Sequence, residues 1–160
     1  MSRRPARAKP VIGWREWVVL PELSPVPVKA KIDTGARTSA LHAFDLSIRE
    51  KGGAQWAHFE VHPTQRSARG SVPVSLPIVG FRRVRSSTGH TEERAVVRTP
   101  LVVGEHHYDV DLTLTSRDQM GFRMLLGRAA VSRRFLVNPG RSFLTTLPDP
   151  YERPRKDPRP

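Results

Sequence analysis

"KAKIDTGARTSALHA" occupies Lys29 to Ala43, and its reading decides the fold. Val28, Ala30 and Ile32 alternate with Lys29, Lys31 and Asp33, which is the period of a half-buried strand. The strand ends on Asp33 and so puts a carboxylate at the rim of a sheet. Thr34 can lock the following turn through its hydroxyl. Gly35 permits close backbone approach and offers an N–H to hold the carboxylate. The same three residues also read as a strand-ending Asx turn, which Asp and Gly form widely. The apolar strand before them and "ARTSAL" after them, which re-enters a sheet, shift the balance toward chemistry.

The flanking sequence is strand-rich. "VIGWREWVVL" (11–20) reads as one strand ending at Pro21. "GAQWAHFEVHP" (53–63) alternates Ala57, Phe59 and Val61 against Trp56, His58, Glu60 and His62. "SVPVSLPIVGF" (71–81) sets Val72, Val74, Leu76 and Ile78 on one face. Pro73 and Pro77 lie on the other, which predicts an edge strand. "RAVVRTPLVV" (94–103) and the cleanly alternating "HYDVDLTLT" (107–115) follow. "MLLG" (124–127) is a short apolar run. A short helix is expected near 128–134, and "SFLTTL" (142–147) reads as a last strand. About eight short strands and one helix describe an all-β barrel or sandwich.

"KAKIDTGARTSALHA" resembles the active-site segment of retropepsin-like aspartic proteases. "MLLGRAAV" (124–131) resembles their second landmark, two apolar residues followed by Gly and Arg opening a short helix. "RRVRSSTGHTEERAVVRTPLVVG" and "DLTLTSRDQMGFRMLLGR" are more similar still to one bacterial and archaeal family. That family was formerly labelled an ATP-dependent zinc protease and is now grouped with retropepsin-like endopeptidases. The resemblance spans about residues 11–147. It implies an acid-protease barrel with Asp33 as catalytic aspartate, supported by Thr34 and Gly35. Ala36, Leu126, Gly127 and Arg128 would support the site, with Leu126-Gly127 packed beneath the loop. "RSSTGHTEERA" (85–95) would match the flap over the cleft. Retroviral enzymes usually carry acidic residues after the Ala, whereas this chain has Arg37, which suits an acidic substrate.

Aspartic proteases activate water with two close carboxylates that share one proton. This chain holds a single Asp-Thr-Gly. A second copy across a two-fold axis would supply the second carboxylate, so a homodimer is expected. Glu93, Asp111 and Asp118 are the same-chain alternatives. The old zinc label fits poorly. His58 and His62 are four strand residues apart, about 13 Å, too far for one ion with ligands at about 2 Å. No Gly-x-x-x-x-Gly-Lys phosphate loop is present. Neither a metal nor another cofactor is expected.

The net charge of +12 points to an acidic partner. Half of the excess sits in residues 1–10 and 151–160, within the Pro-rich ends 1–10 and 148–160 that are expected to be disordered tails around one domain at 11–147. Of the 27 basic residues 22 are Arg, the side chain that grips carboxylates bidentately, although Arg-rich genome composition would give the same count. Arg37, Arg85 and Arg98 are the candidate substrate-binding residues, with Arg82, Arg83 and Arg94 nearby. Members of the resembled family are associated with ATP-grasp ligases that append glutamates to a ribosomal protein, which implies processing of glutamate-rich tails. The alternative is a non-catalytic dimeric module that binds acidic tails or ribosomal RNA. Nucleic acid is the less favoured partner, because no recognised binding motif accompanies the basic segments. No run of 18 apolar residues occurs, Cys is absent, and the basic N-terminus leads into no apolar signal core, so a cytoplasmic protein is expected.

Overall fold

In the computed structural model, residues 8–64, 70–85, 88–116, 121–149 and 151 are described. Most of both expected tails lies outside them. Of the N-terminal tail, Lys9 Nζ donates to the Ser132 carbonyl at 2.9 Å and the Pro10 carbonyl accepts from Leu136 N at 3.0 Å.

Among the described residues the fold is all-β with one short helix. The elements are β1 (Val11–Gly13), β2 (Arg15–Val18), β3 (Val28–Asp33), β4 (Ser39–His42), β5 (Phe44–Lys51), β6 (Ala54–Val61) and β7 (Val72–Pro77). They continue with β8 (Gly80–Arg85), β9 (Thr91–Val103), β10 (His106–Thr115), β11 (Met124–Gly127), α1 (Arg128–Val131) and β12 (Leu136–Asn138). Seven strands form the main sheet in the order β2-β3-β11-β4-β10-β9-β8. The sheet curls far enough for Val19, just past β2, to exchange two backbone hydrogen bonds with Val102 on β9, at 2.9 and 2.8 Å. Strands β5, β6 and β7 make a second sheet, and β1 pairs with β12 in parallel.

The core forms where alternation turns apolar side chains inward. Val28, Ala30 and Ile32 of β3 meet Met124 and Leu126 of β11, Leu112 and Leu114 of β10, and Ala57, Phe59 and Val61 of β6. Each buried Leu, Val or Ile stabilises the fold by roughly 1.5–3 kcal/mol. Pro73 and Pro77 fall on β7, at the edge of its sheet, where missing N–H groups break no ladder.

Three expectations need correction. The run 11–20 is not one strand. The chain bends at Trp14, whose N–H donates to the Arg141 carbonyl at 2.8 Å, and β1 and β2 join different sheets. A Cβ on Gly13 would overlap that same Arg141 carbonyl, so the bend needs glycine. The helix stops at Val131 rather than 134. A turn over 132–134 then delivers the buried Phe135 and starts β12. Residues 142–147 form no strand. Phe143 adopts a positive φ of 54°, and the N–H groups of Leu144 and Thr145 donate to the Glu16 carboxylate instead of to a neighbouring strand. Strands β5 and β12 were not foreseen.

Candidate functional site

The site is built where β3 ends. β11 lies between β3 and β4, parallel to the first and antiparallel to the second. Its register sets Leu126 opposite Ile32 and Gly127 opposite Asp33. Strand β3 therefore carries Asp33 to the rim, and β11 supports it from beside. The Asp33 carboxylate is half-buried. Its Oδ1 accepts from Gly35 N at 3.0 Å and from Ala36 N at 3.2 Å. Two N–H donors on one oxygen fix the plane of the carboxylate. A Cβ on Gly35 would sit 3.3 Å from that oxygen, tighter than most contacts, so glycine suits the turn.

The loop is tied down from behind. Arg128 Nη1 donates to the Thr34 carbonyl at 2.9 Å, and Arg128 N to the Ala36 carbonyl at 2.7 Å. Ala129 N donates to the Arg37 carbonyl at 3.1 Å. The expected supports Ala36, Leu126, Gly127 and Arg128 thus gather at Asp33. Ser39 was not foreseen. Its buried hydroxyl accepts from Gly127 N at 3.0 Å, and its carbonyl accepts from Thr113 Oγ1 at 3.0 Å. A lone Ser entering an apolar strand was the only signal in the sequence. A Cβ on Gly127 would overlap the Thr38 carbonyl. Gly127→Ala is therefore expected to destabilise by about 2–3 kcal/mol, because backbone cannot move aside as a side chain can. Chemical denaturation checks this, and Gly80→Ala, which meets nothing within 4 Å, is the control.

The substrate-binding candidates separate. Arg37 is exposed at the end of the Asp33 loop, and with Arg98 it lines a cavity of about 330 Å³. Arg98 Nε and Nη2 grip Asp111 at 2.8 and 3.4 Å, and that contact raises the guanidinium pKa further. Arg85 ends β8 opposite Thr91 at the tip of the β8–β9 hairpin and does not line the cavity. That hairpin is the segment expected as a flap; Ser86 and Ser87 lie outside the described residues. Among the alternative acids, Asp111 on β10 is engaged by Arg98 of β9, and β11 and β4 lie between β10 and β3. Glu93 is exposed opposite Arg83, and Asp118 lies outside the described residues. On β6, His58 Nδ1 is 2.7 Å from Ser75 Oγ, while His62 pairs with Glu60 at 3.4 Å.

Tyr108 closes one wall of the cavity. Its hydroxyl donates to the Ala130 carbonyl at 2.8 Å, and Arg134 lies 3.9 Å over its ring. Burial pushes the phenol up from 10 to about 12, against a weaker downward pull from Arg134. The fold therefore prefers the protonated phenol. Its contribution to stability is complete below pH 10 and is lost as pH rises from 10 through about 12. Unfolding midpoints should fall across that window, and Tyr108→Phe should flatten that part of the profile.

The profile of the RimB-like family, described as retropepsin-like aspartic endopeptidase RimB, matches residues 11–148. The chain belongs to that family. The match covers the Asp33 loop, β11 and the cavity together. Relatives named "Probable alpha-L-glutamate ligase" in Desulfotalea psychrophila and Shewanella halifaxensis are each 42% identical, over 82% and 83% of this chain. The chain spans only 28% and 29% of their lengths. The crystal structure of Lpg0085 from Legionella pneumophila, a protein of unknown function, aligns over 87% of this RimB-like chain and all of its own. Its TM-score is 0.70 at 26% identity. No helix among the described residues is long and apolar enough to cross a membrane.

Proposed function

We propose that the chain is an aspartic endopeptidase that cuts glutamate-rich protein tails, with Asp33 as its catalytic carboxylate. The observation that carries this reading is the Asp33 carboxylate, held at a sheet rim by Gly35 N and Ala36 N, in a chain of a retropepsin-like family. In the proposed reaction one carboxylate takes a proton from water as the oxygen attacks the peptide carbonyl carbon. A second, protonated carboxylate donates to the carbonyl oxygen, and the leaving amine takes a proton as the C–N bond breaks. Asp33 of a second copy across a two-fold axis is the proposed partner, with Thr34 and Gly35 of each copy as supports. Sedimentation of the active protein should give a dimer, with activity per chain falling on dilution through dissociation. A fully active monomer would redirect the second role to Glu93, Asp111 or Asp118.

The acidic substrate is supported by the net charge of +12 and by Arg37, Arg85 and Arg98. The relatives' names support a link to glutamate addition, with an ATP-grasp ligase as the proposed opposing activity and assembly partner. A ribosomal protein tail is the proposed target, which places the reaction in the cytoplasm. The test is incubation with a polyglutamate-tailed peptide and an uncharged control, read by mass spectrometry across salt concentrations. Faster cutting of the acidic peptide, weakening with salt, is the expected result. The ligase names also favour a second reading, in which the fold is a non-catalytic module that holds acidic tails. Binding of the peptide without any cleavage would select it.

A further inference from the structure

The cavity behind Arg37 has a composition that neither the family nor the catalytic motif explains. Four arginines from four separate places line it: Arg37 after the Asp33 loop, Arg82 on β8, Arg98 on β9 and Arg134 after α1. Two carboxylates, Asp109 and Asp111, also line it, so four positive and two negative charges leave an excess of +2. Arg98 is committed to Asp111, and Arg134 rests on the Tyr108 ring. Arg37 and Arg82 have no ion-pair partner among the described residues. Arginines gathered in this way repel one another unless an anion joins them. At about 330 Å³ the cavity lies near the lower end of the roughly 300–1,000 Å³ typical of ligand sites, so it fits side chains rather than a folded domain.

A neighbouring depression of about 480 Å³ shares Arg82, Arg98 and Asp111 and adds Val79 and Phe81. Those two apolar side chains are 50% and 42% exposed. The basic cavity therefore adjoins a second, mostly polar depression that adds two exposed apolar side chains, as suits a peptide more than a free ion.

The geometry points to a recognition subsite for an acidic peptide, in which Arg37 and Arg82 together grip a glutamate or aspartate side chain. Arg98 and Arg134, held by Asp111 and Tyr108, shape the walls. The inference deepens the endopeptidase reading by naming the residues that select the substrate, and binding tests it without cleavage.

The experiment is calorimetric titration of the full chain carrying Asp33→Asn, with a glutamate-rich peptide and its glutamine counterpart. The glutamate peptide should bind, and the glutamine peptide at least about tenfold more weakly, since charge-assisted hydrogen bonds are lost. Adding Arg82→Ala or Arg37→Ala should each weaken binding about tenfold, with unchanged circular dichroism. Arg82→Lys should recover part of it by restoring charge without the fork. Arg49→Ala on β5, an equal loss of charge away from the cavity, should change affinity less than twofold. Equal effects of Arg82→Ala and Arg49→Ala would overturn the subsite. So would Arg82-dependent binding of inorganic phosphate or a short RNA in preference to the peptide. Cleavage that survives Asp33→Asn would remove the catalytic reading and leave the subsite standing. Cleavage that needs Asp33, with binding indifferent to Arg82, would do the reverse.

Discussion

Asp33→Asn is expected to reduce cleavage of a glutamate-tailed peptide by about 10³-fold or more, with the fold preserved. The amide has the carboxylate's shape, and its oxygen can still accept from Gly35 N and Ala36 N, 3.0 and 3.2 Å away in the parent. It cannot take a proton from water, so the loss falls on chemistry rather than on structure. Mass spectrometry measures the first and thermal unfolding the second. A fully active Asp33→Asn chain would sink the proposal. Parent activity abolished by a metal chelator alone would do the same, since the proposed step uses no metal. If the variant unfolds, the experiment moves to Asp33→Glu. That substitution keeps the acid but displaces it by one methylene, and it should still lose most activity with little change in charge.

Glu16→Ala is expected to destabilise the fold by about 3–5 kcal/mol, the largest loss anticipated for one residue outside the site. Glu16 is completely buried. Its Oε2 accepts from Gly13 N at 2.7 Å and from Leu144 N at 2.9 Å. Its Oε1 accepts from Thr145 N at 3.0 Å and Thr145 Oγ1 at 2.8 Å. One carboxylate thus joins the β1–β2 bend to the segment after β12. Removing it strands three backbone N–H groups in the interior, each unsatisfied donor costing about 1–3 kcal/mol unless water enters. Glu16→Gln should cost less, since one oxygen remains, but its amide N–H₂ would face other donors. Urea unfolding gives the free energies. Hydrogen exchange should show residues 142–146 losing protection first. A loss below about 1 kcal/mol would mean that solvent replaces the carboxylate without penalty.

The strands most legible in the sequence were those with one face on the core. In β6, Ala57, Phe59 and Val61 are buried and the residues between them are not, so period two was visible before any partner was known. In β10, Val110, Leu112 and Leu114 are buried as well, with the polar Thr113 between the last two buried beside them. β5 was missed because its face carries little apolar signal: Ile48 is exposed, and Asp45 at φ 52° lies within a register shift. The helix was read too long because local pattern says nothing of β12, whose pairing with β1 ends it.

The turn at Asp33 was legible in the sequence because its geometry is local. An Asp two residues before a Gly can accept its N–H whatever the rest of the chain does. Glu16 could not be recognised, since its partners at 144 and 145 lie more than 120 positions away. Nor could the cavity, where Arg37, Arg82, Arg98 and Arg134 become neighbours only after β8, β9, β10 and β4 pair. Alone, the chain's order of residues determined the strand-rich class, the acidic tip of β3 and the basic surplus, each of them a matter of composition or of contacts a few residues long. Tertiary structure decided that β11 enters between β3 and β4 to support Asp33, that Glu16 holds the C-terminal segment, and which arginines converge. Those outcomes depend on register between distant strands, which burial of the whole core selects and no short stretch encodes.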